Sequence, residues 1–257
     1  MSNKPRRVRR LIEVTRVKEL SPRMVRVTFT GDNLAEFGWN GPAAHIKLIF
    51  PEKGQTEPAP QQEGGPRPTM RTYTPRRFDP AVPELDVEFV LHGHGPASTW
   101  AAQAKPGQRL MVAGPGPNYV IDPNADWHLL AADETALPAI STILDVLPAG
   151  KPVIALVEAI SDQDERPLET AANLELRWLH RGDDVAQSGI PLEKAIQELE
   201  FPEGVGQIYV GCESNAMRRI RQHLLKERGY DKTRIVTRGY WKLGATDHPD
   251  RDFGDDA

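Results

Sequence analysis

Cysteine is almost missing from this chain: Cys212 is the only one in 257 residues. A lone thiol excludes an internal disulfide and a cysteine-ligated iron–sulfur cluster, so any redox chemistry needs a bound organic cofactor. The seven histidines follow neither HExxH nor another metal-ligand spacing, which argues against a built-in metal site. No run of about 18 apolar residues occurs, which excludes a spanning helix. The basic start, with Lys4, Arg6, Arg7, Arg9 and Arg10, is not followed by the hydrophobic segment of a signal peptide. The expectation is a cytoplasmic protein with no membrane insertion. No Ser-His-Asp or Cys-His arrangement has supporting context, so nucleophilic catalysis is not expected.

What is present is ordinary for a folded protein, with 39% hydrophobic and 26% charged residues. The length suits two modest domains or one large one. A net charge of −4 hides an asymmetry: the first 26 residues carry nine Lys or Arg against two Glu, while Thr246 to Ala257 carries five Asp against one Arg. Arg7, Arg9, Glu13, Arg16, Arg23 and Arg26 alternate with Val8, Val14, Val17, Val25 and Val27, the pattern of a wet strand face. That pattern is favoured over a nucleic-acid arm, and no nucleic-acid partner is expected.

Short strands come first. Residues 7 to 18, 23 to 30 and 44 to 51 read as strands, with Ser21-Pro22 as a turn between the first two. Leu85 to His92 alternates apolar and acidic residues before turning fully apolar, and residues 108 to 116 read as a last strand. Such strands suggest a barrel. From Glu52 to Thr69 a Pro-, Gly- and Gln-rich stretch reads as a surface excursion. A boundary is placed at residues 122 to 126, giving domains 1–123 and 124–257. Beyond it, strands at 128–132, 153–160, 174–180, 207–212 and 234–241 alternate with helices at 137–147, 191–199 and 215–228. This alternation implies a parallel sheet covered by helices. Ligands of such sheets sit at the carboxyl ends of the strands, here the turns Asp133–Ala136 and Gly211–Ala216.

Two stretches look built for a flavin nucleotide. Arg71-Thr72-Tyr73-Thr74-Pro75-Arg76 sets two guanidiniums and a hydroxyl around one aromatic ring, able to grip a phosphate, stack on a flat ring and bond its edge. His92-Gly93-His94-Gly95-Pro96-Ala97-Ser98-Thr99-Trp100 leads through a Gly and Pro turn into an alanine-rich helix start, whose free N–H groups suit a pyrophosphate.

These two motifs, with the later Ala132-Asp133-Glu134-Thr135-Ala136-Leu137-Pro138, resemble the siderophore-interacting proteins, FAD-dependent ferric-siderophore reductases related to the ferredoxin reductases. The likeness spans nearly the whole chain. It implies a six-stranded antiparallel β-barrel holding FAD, followed by a Rossmann-like α/β domain for NADPH or NADH. It implies Arg71 on the FAD phosphates, Tyr73 against the flavin or ribityl chain, and Thr74 near flavin N5. Arg76 serves either phosphate or water. His92 falls where the family contacts FAD, or is a structural strand-end residue. Gly95, Ala97, Ser98 and Thr99 would face the pyrophosphate, with Ser98 also able to cap its own helix. Asp133-Glu134-Thr135 replaces the glycine-rich turn of ferredoxin reductases. Its carboxylates would repel a pyrophosphate, so weak or unusual NAD(P)H binding is expected, with Asp133 and Thr135 on the flavin side. Trp241 would cover the flavin or cap the sheet.

Ferric siderophores are often anionic, so Lys47 and Lys242 are the candidate docking cations. The implied reaction passes electrons from NAD(P)H through FAD to Fe(III)-siderophore, releasing Fe(II). Two alternatives stay open: reduced ferredoxin as the donor, or a siderophore-binding module that retains FAD without turnover.

Overall fold

The computed structural model describes residues 8–52, 54–59, 67–246, 248 and 252–254. Readings on residues 1–7, on 53 and 60–66 of the Pro-rich stretch, and on most of the acidic tail lie outside the described residues. The chain divides into two compact units, Met1–Tyr119 and Val120–Ala257.

The first unit holds β1 (Arg9–Ser21), β2 (Met24–Thr30), β3 (Ile46–Ile49), β4 (Met70–Tyr73), β5 (Pro75–Asp79), β6 (Glu84–Val90), α1 (Pro96–Ala101) and β7 (Arg109–Ala113). The strands pair antiparallel in the order β4-β3-β7-β1-β2-β6-β5. The two edge strands, β4 and β5, are separated in sequence by Thr74 alone. The sheet must therefore curl until its edges meet at that residue. Seven strands stand where six were expected, and this corner is where the ladder breaks: Pro75 has no N–H to continue it.

Alternation in β2 and β6 explains the barrel wall. Val25, Val27, Phe29, Leu85, Val87 and Phe89 point into one core. On the other face their neighbours meet as register partners, Arg26 with Glu88 at 2.6 Å and Thr28 with Asp86 at 2.6 Å. The acidic residues that interrupt Leu85–Val90 are thus cross-strand partners for the basic strand before them. Trp100 of α1 seats against Phe29, Phe50 and Phe89, with ring centroids 5.7–6.1 Å apart, and so anchors the helix to the same core.

The second unit holds β8 (Trp127–Ala132), α2 (Leu137–Leu144), β9 (Pro152–Ala159), β10 (Asn173–His180), α3 (Ile190–Glu198), β11 (Gly206–Glu213), α4 (Ser214–Gln222) and β12 (Ile235–Trp241). The sheet is parallel throughout, in the order β10-β9-β8-β11-β12. The central strands β8 and β11 are buried along their whole length, and the edge strands alternate, as expected for a sheet covered at its middle. One crossover departs from the expected alternation. Between β9 and β10 stands only a short 3₁₀ turn, Asp162–Asp164, in place of a helix. Helix α4 continues past Gln222 as a π-helical turn, His223–Glu227, so the expected 215–228 helix is two pieces. Among the described residues no helix is long and apolar enough to cross a membrane.

Candidate functional site

In the barrel unit the candidate residues gather along the Thr74 corner and the loop after β6. Arg71 and Tyr73 sit half-buried on β4, and Thr74 is buried at the corner. The Arg71 guanidinium donates to the Met70 carbonyl at 2.7 Å. Lys47 is the register partner of Thr72, and its ammonium donates to the Thr72 hydroxyl at 2.7 Å. Lys47 and the Arg71–Arg76 stretch are therefore cross-strand neighbours. The Tyr73 ring lies 4.5 Å from that of Phe89, and burial pushes its phenol up from the ordinary range. Phe89 in turn touches Trp100, so a continuous aromatic row links the corner to α1.

The loop from His92 to Gly95 is held by an unexpected bond. Ser98 does not cap its own helix; its hydroxyl accepts from the His92 backbone N–H at 2.9 Å, and no side chain caps α1. The first amides of α1 are thus left without a side-chain acceptor. Gly93 and Gly95 both have positive φ, and a Cβ built at Gly93 would meet nothing within 4 Å. Bare backbone and uncapped amides here, with the guanidiniums of the Arg71–Arg76 stretch in the same unit, suit a dinucleotide such as FAD. His92 and His94 face each other edge to face, ring centroids 4.3 Å apart. Burial, and then His94, lower the His92 pKa. Ala97 is buried, while Thr99 is exposed and Arg76 half-buried.

In the second unit Asp133, Thr135 and Trp241 come together at the carboxyl ends of β8 and β12. Asp133 is buried, and both its oxygens are occupied. Oδ1 accepts from the Thr135 N–H at 2.9 Å and its hydroxyl at 2.5 Å, while Oδ2 accepts from the Trp241 indole N–H at 2.8 Å. Arg181 holds Glu134 at 2.7 Å and stands 3.6 Å from Glu158. The carboxylates of the acidic turn thus find their hydrogen-bond and charge partners inside the unit. Burial raises the pKa of both Asp133 and Glu134, against the bonds from Thr135, Trp241 and Arg181. Cys212 lies in the apolar core, its thiol pKa pushed up by burial and by Asp133. Lys242, next to the anchored Trp241, is exposed.

One buried acid of this region escaped the sequence reading. Glu158, at the end of β9, is fully buried and accepts from the N–H groups of Gly189 at 2.8 Å and Leu192 at 3.4 Å, capping α3 from another strand. Burial pushes its carboxyl up to about 7. Its one signal was a single acid inside the apolar run Val153–Ile160. Glu213, which ends β11, caps α4 through Asn215 at 2.7 Å and Ala216 at 2.9 Å.

Comparison with known proteins covers both units. Residues 13–119 match the model of the siderophore-interacting FAD-binding domain, and residues 125–244 that of the siderophore-interacting protein. The chain is 34% identical to the ferric vibriobactin reductase of Vibrio cholerae, over 95% of this chain and 93% of that one. It is 30% identical to the NADPH-dependent ferric-chelate reductase of Escherichia coli, over 94% of this chain and 99% of that one. A siderophore utilization protein from T. fusca superposes with a TM-score of 0.85 at 37% identity, covering 95% and 96% of the two chains.

Proposed function

Since the chain belongs to the siderophore-interacting protein family, we propose that it is a cytoplasmic ferric-siderophore reductase that draws electrons from a reduced nicotinamide dinucleotide. One hydride carries two electrons, enough for two Fe(III) chelates, each leaving as Fe(II) with a weakened hold on its hard oxygen ligands. FAD, when bound, supplies a two-electron acceptor able to give electrons up singly.

The chain's own residues bind and orient. Arg71 and Arg76 would take phosphate, Tyr73 would stack along the flavin, and the Thr74 hydroxyl would serve its edge without adding a titrating group. The amides of Gly95, Ala97, Ser98 and Thr99 receive the pyrophosphate, with His92 flanking them. Asp133, Thr135 and Trp241 serve the flavin side of the second unit. Lys47 and Lys242 are the cations that attract an anionic chelate.

The observation that carries this reading is the match, over nearly their whole lengths, to relatives named as ferric-chelate reductases. The visible spectrum of the purified protein tests it. A yellow protein bleached without oxygen by NADH or NADPH, and recoloured by a ferric siderophore, is the expected result. A colourless protein that refuses added FAD overturns the reading. Bleaching by reduced ferredoxin alone would replace the donor, and FAD that no donor bleaches would leave a binding module.

A further inference from the structure

A cleft of about 310 Å³ opens in the second unit, lined by Ser188, Ile190, Glu193, Arg219 and Leu243 together with the α4 cap residues Glu213 and Asn215. It lies where α3 and α4, nine residues each, begin side by side. The two helices start so close that a Cβ on Gly189 would fall 2.1 Å from that of Ala216, and Gly189 has φ +80°. Strand order reverses between β8 and β11, and the cleft stands at the carboxyl end of β11, the place where open parallel sheets take ligands.

Its chemistry is that of a nucleoside pocket. The helix-end amides are already taken, those of Gly189 and Leu192 by Glu158 and those of Asn215 and Ala216 by Glu213. A phosphate thus finds little to bind there. Ile190 and Leu243, 46% and 48% exposed, instead offer two aliphatic walls for a flat base. The Ser188 hydroxyl, on a residue 8% exposed, has no hydrogen-bond partner among the described residues. Glu193 faces Arg219 at 2.6 Å. Two carboxylates, Glu193 and Glu213, therefore stand against one guanidinium that is already engaged.

We propose that this cleft takes the adenosine end of the electron-donating dinucleotide, and that Glu193, by occupying Arg219 and accepting from the ribose, selects the 2′-hydroxyl form, NADH, over the 2′-phosphorylated form. The proposal rests on the reading that a nicotinamide dinucleotide is the donor. A carboxylate suits a ribose hydroxyl, whereas a free Arg suits a 2′-phosphate. A 2′-phosphate would bring a charge of about −1.5 to −2 beside two carboxylates.

Calorimetric titration of the full-length protein with ADP-ribose and with 2′-phospho-ADP-ribose tests it apart from turnover. The wild type should bind ADP-ribose about tenfold tighter or more, and Glu193→Gln, which frees Arg219, should bring the two to parity or reverse them. Lys194→Gln, exposed on the same helix, should leave the ratio unchanged. The proposal is overturned if the phosphorylated fragment binds the wild type as tightly, if Glu193→Gln leaves the ratio where it was, or if neither fragment binds. Anaerobic bleaching by NADH or NADPH separates the two readings. Bleaching without fragment binding removes the cleft and keeps the donor. Fragment binding in the expected ratio without bleaching removes the donor and keeps a nucleotide site.

Discussion

The indole N–H of Trp241 donates to Asp133 Oδ2 at 2.8 Å, joining the end of β12 to the turn after β8 across 108 residues of sequence. Asp133 is buried, and its other oxygen is already bonded twice by Thr135. The tryptophan is therefore a fixed donor to a buried carboxylate, and the Lys242 that follows it projects from an anchored position.

Trp241→Phe keeps an aromatic ring and removes only that donor. A buried acceptor that loses a partner costs about 1–3 kcal/mol. The Asp133 pKa is already raised, so the folded state takes up its proton first and the carboxylate opposes folding as pH rises. Losing the donor raises that pKa further. Urea unfolding should show a larger deficit at pH 8 than at pH 5, and equal stability of variant and wild type at both would show that the bond contributes nothing.

Arg181 meets Glu134 at 2.7 Å and Glu158 at 3.6 Å, all three largely out of water. Arg181→Met strands two buried carboxylates, a loss of about 3–5 kcal/mol near neutral pH. Burial raises the pKa of both, that of Glu158 to about 7, so acidification neutralises them. The variant's melting temperature should recover toward that of the wild type as pH falls from 8 to 5. A deficit independent of pH would mean the damage is steric.

The strands and helices were legible because their periodicities are clean: alternation in Leu85–Val90, continuous apolar runs in β8 and β11. The Thr74 corner was not, since nothing in Arg71–Arg76 says that a single threonine divides two edge strands of the same sheet. The flavin motifs were visible as local strings, and Lys47 was picked out as a cation inside a strand. That its ammonium reaches Thr72 depends on strand register, which pairs residues 25 apart. The internal partner of the acidic turn was hidden for the same reason: Arg181, which meets Glu134, lies 47 residues away, and a string of carboxylates carries no mark of whether an arginine meets it. Ser188, Glu193 and Arg219 share no motif at all. Only the meeting of two helix starts assembles them.

Arg71→Ala should lose most of its bound FAD, read as a fall in the 450 nm to 280 nm absorbance ratio of the purified protein. Full occupancy would remove Arg71 from the phosphate site. Lys242 is exposed, so Lys242→Ala should keep full FAD content and raise KM for anionic ferric chelates several-fold, on the order of 1 kcal/mol for one partly screened charge. An unchanged KM would exclude it from docking.

His128 and Glu158 are buried groups whose titrations act on stability in opposite directions. His128 is fully buried, neither ring nitrogen has a partner among the described residues, and burial with nearby Lys151 lowers its pKa from 6.5 to about 4. The unfolded chain takes this proton first, so His128 removes stability as pH falls from about 6.5 toward 4. Glu158 runs the other way. Its pKa rises from 4.5 to about 7, the folded chain takes the proton first, and stability is lost as pH climbs through that window. Each effect is worth about 3 kcal/mol over its range, and where the windows overlap the two slopes offset each other. His128→Leu should gain stability over the wild type, and the gain should grow as pH falls below 6.5. Glu158→Gln should gain most above pH 7, with the gain shrinking toward pH 4.5 as the native carboxyl protonates. Unfolding followed by the fluorescence of adjacent Trp127 across pH 4.5–8 reads both differences. If either stays constant across that range, the group in question does not change protonation on unfolding, and the account of its burial fails.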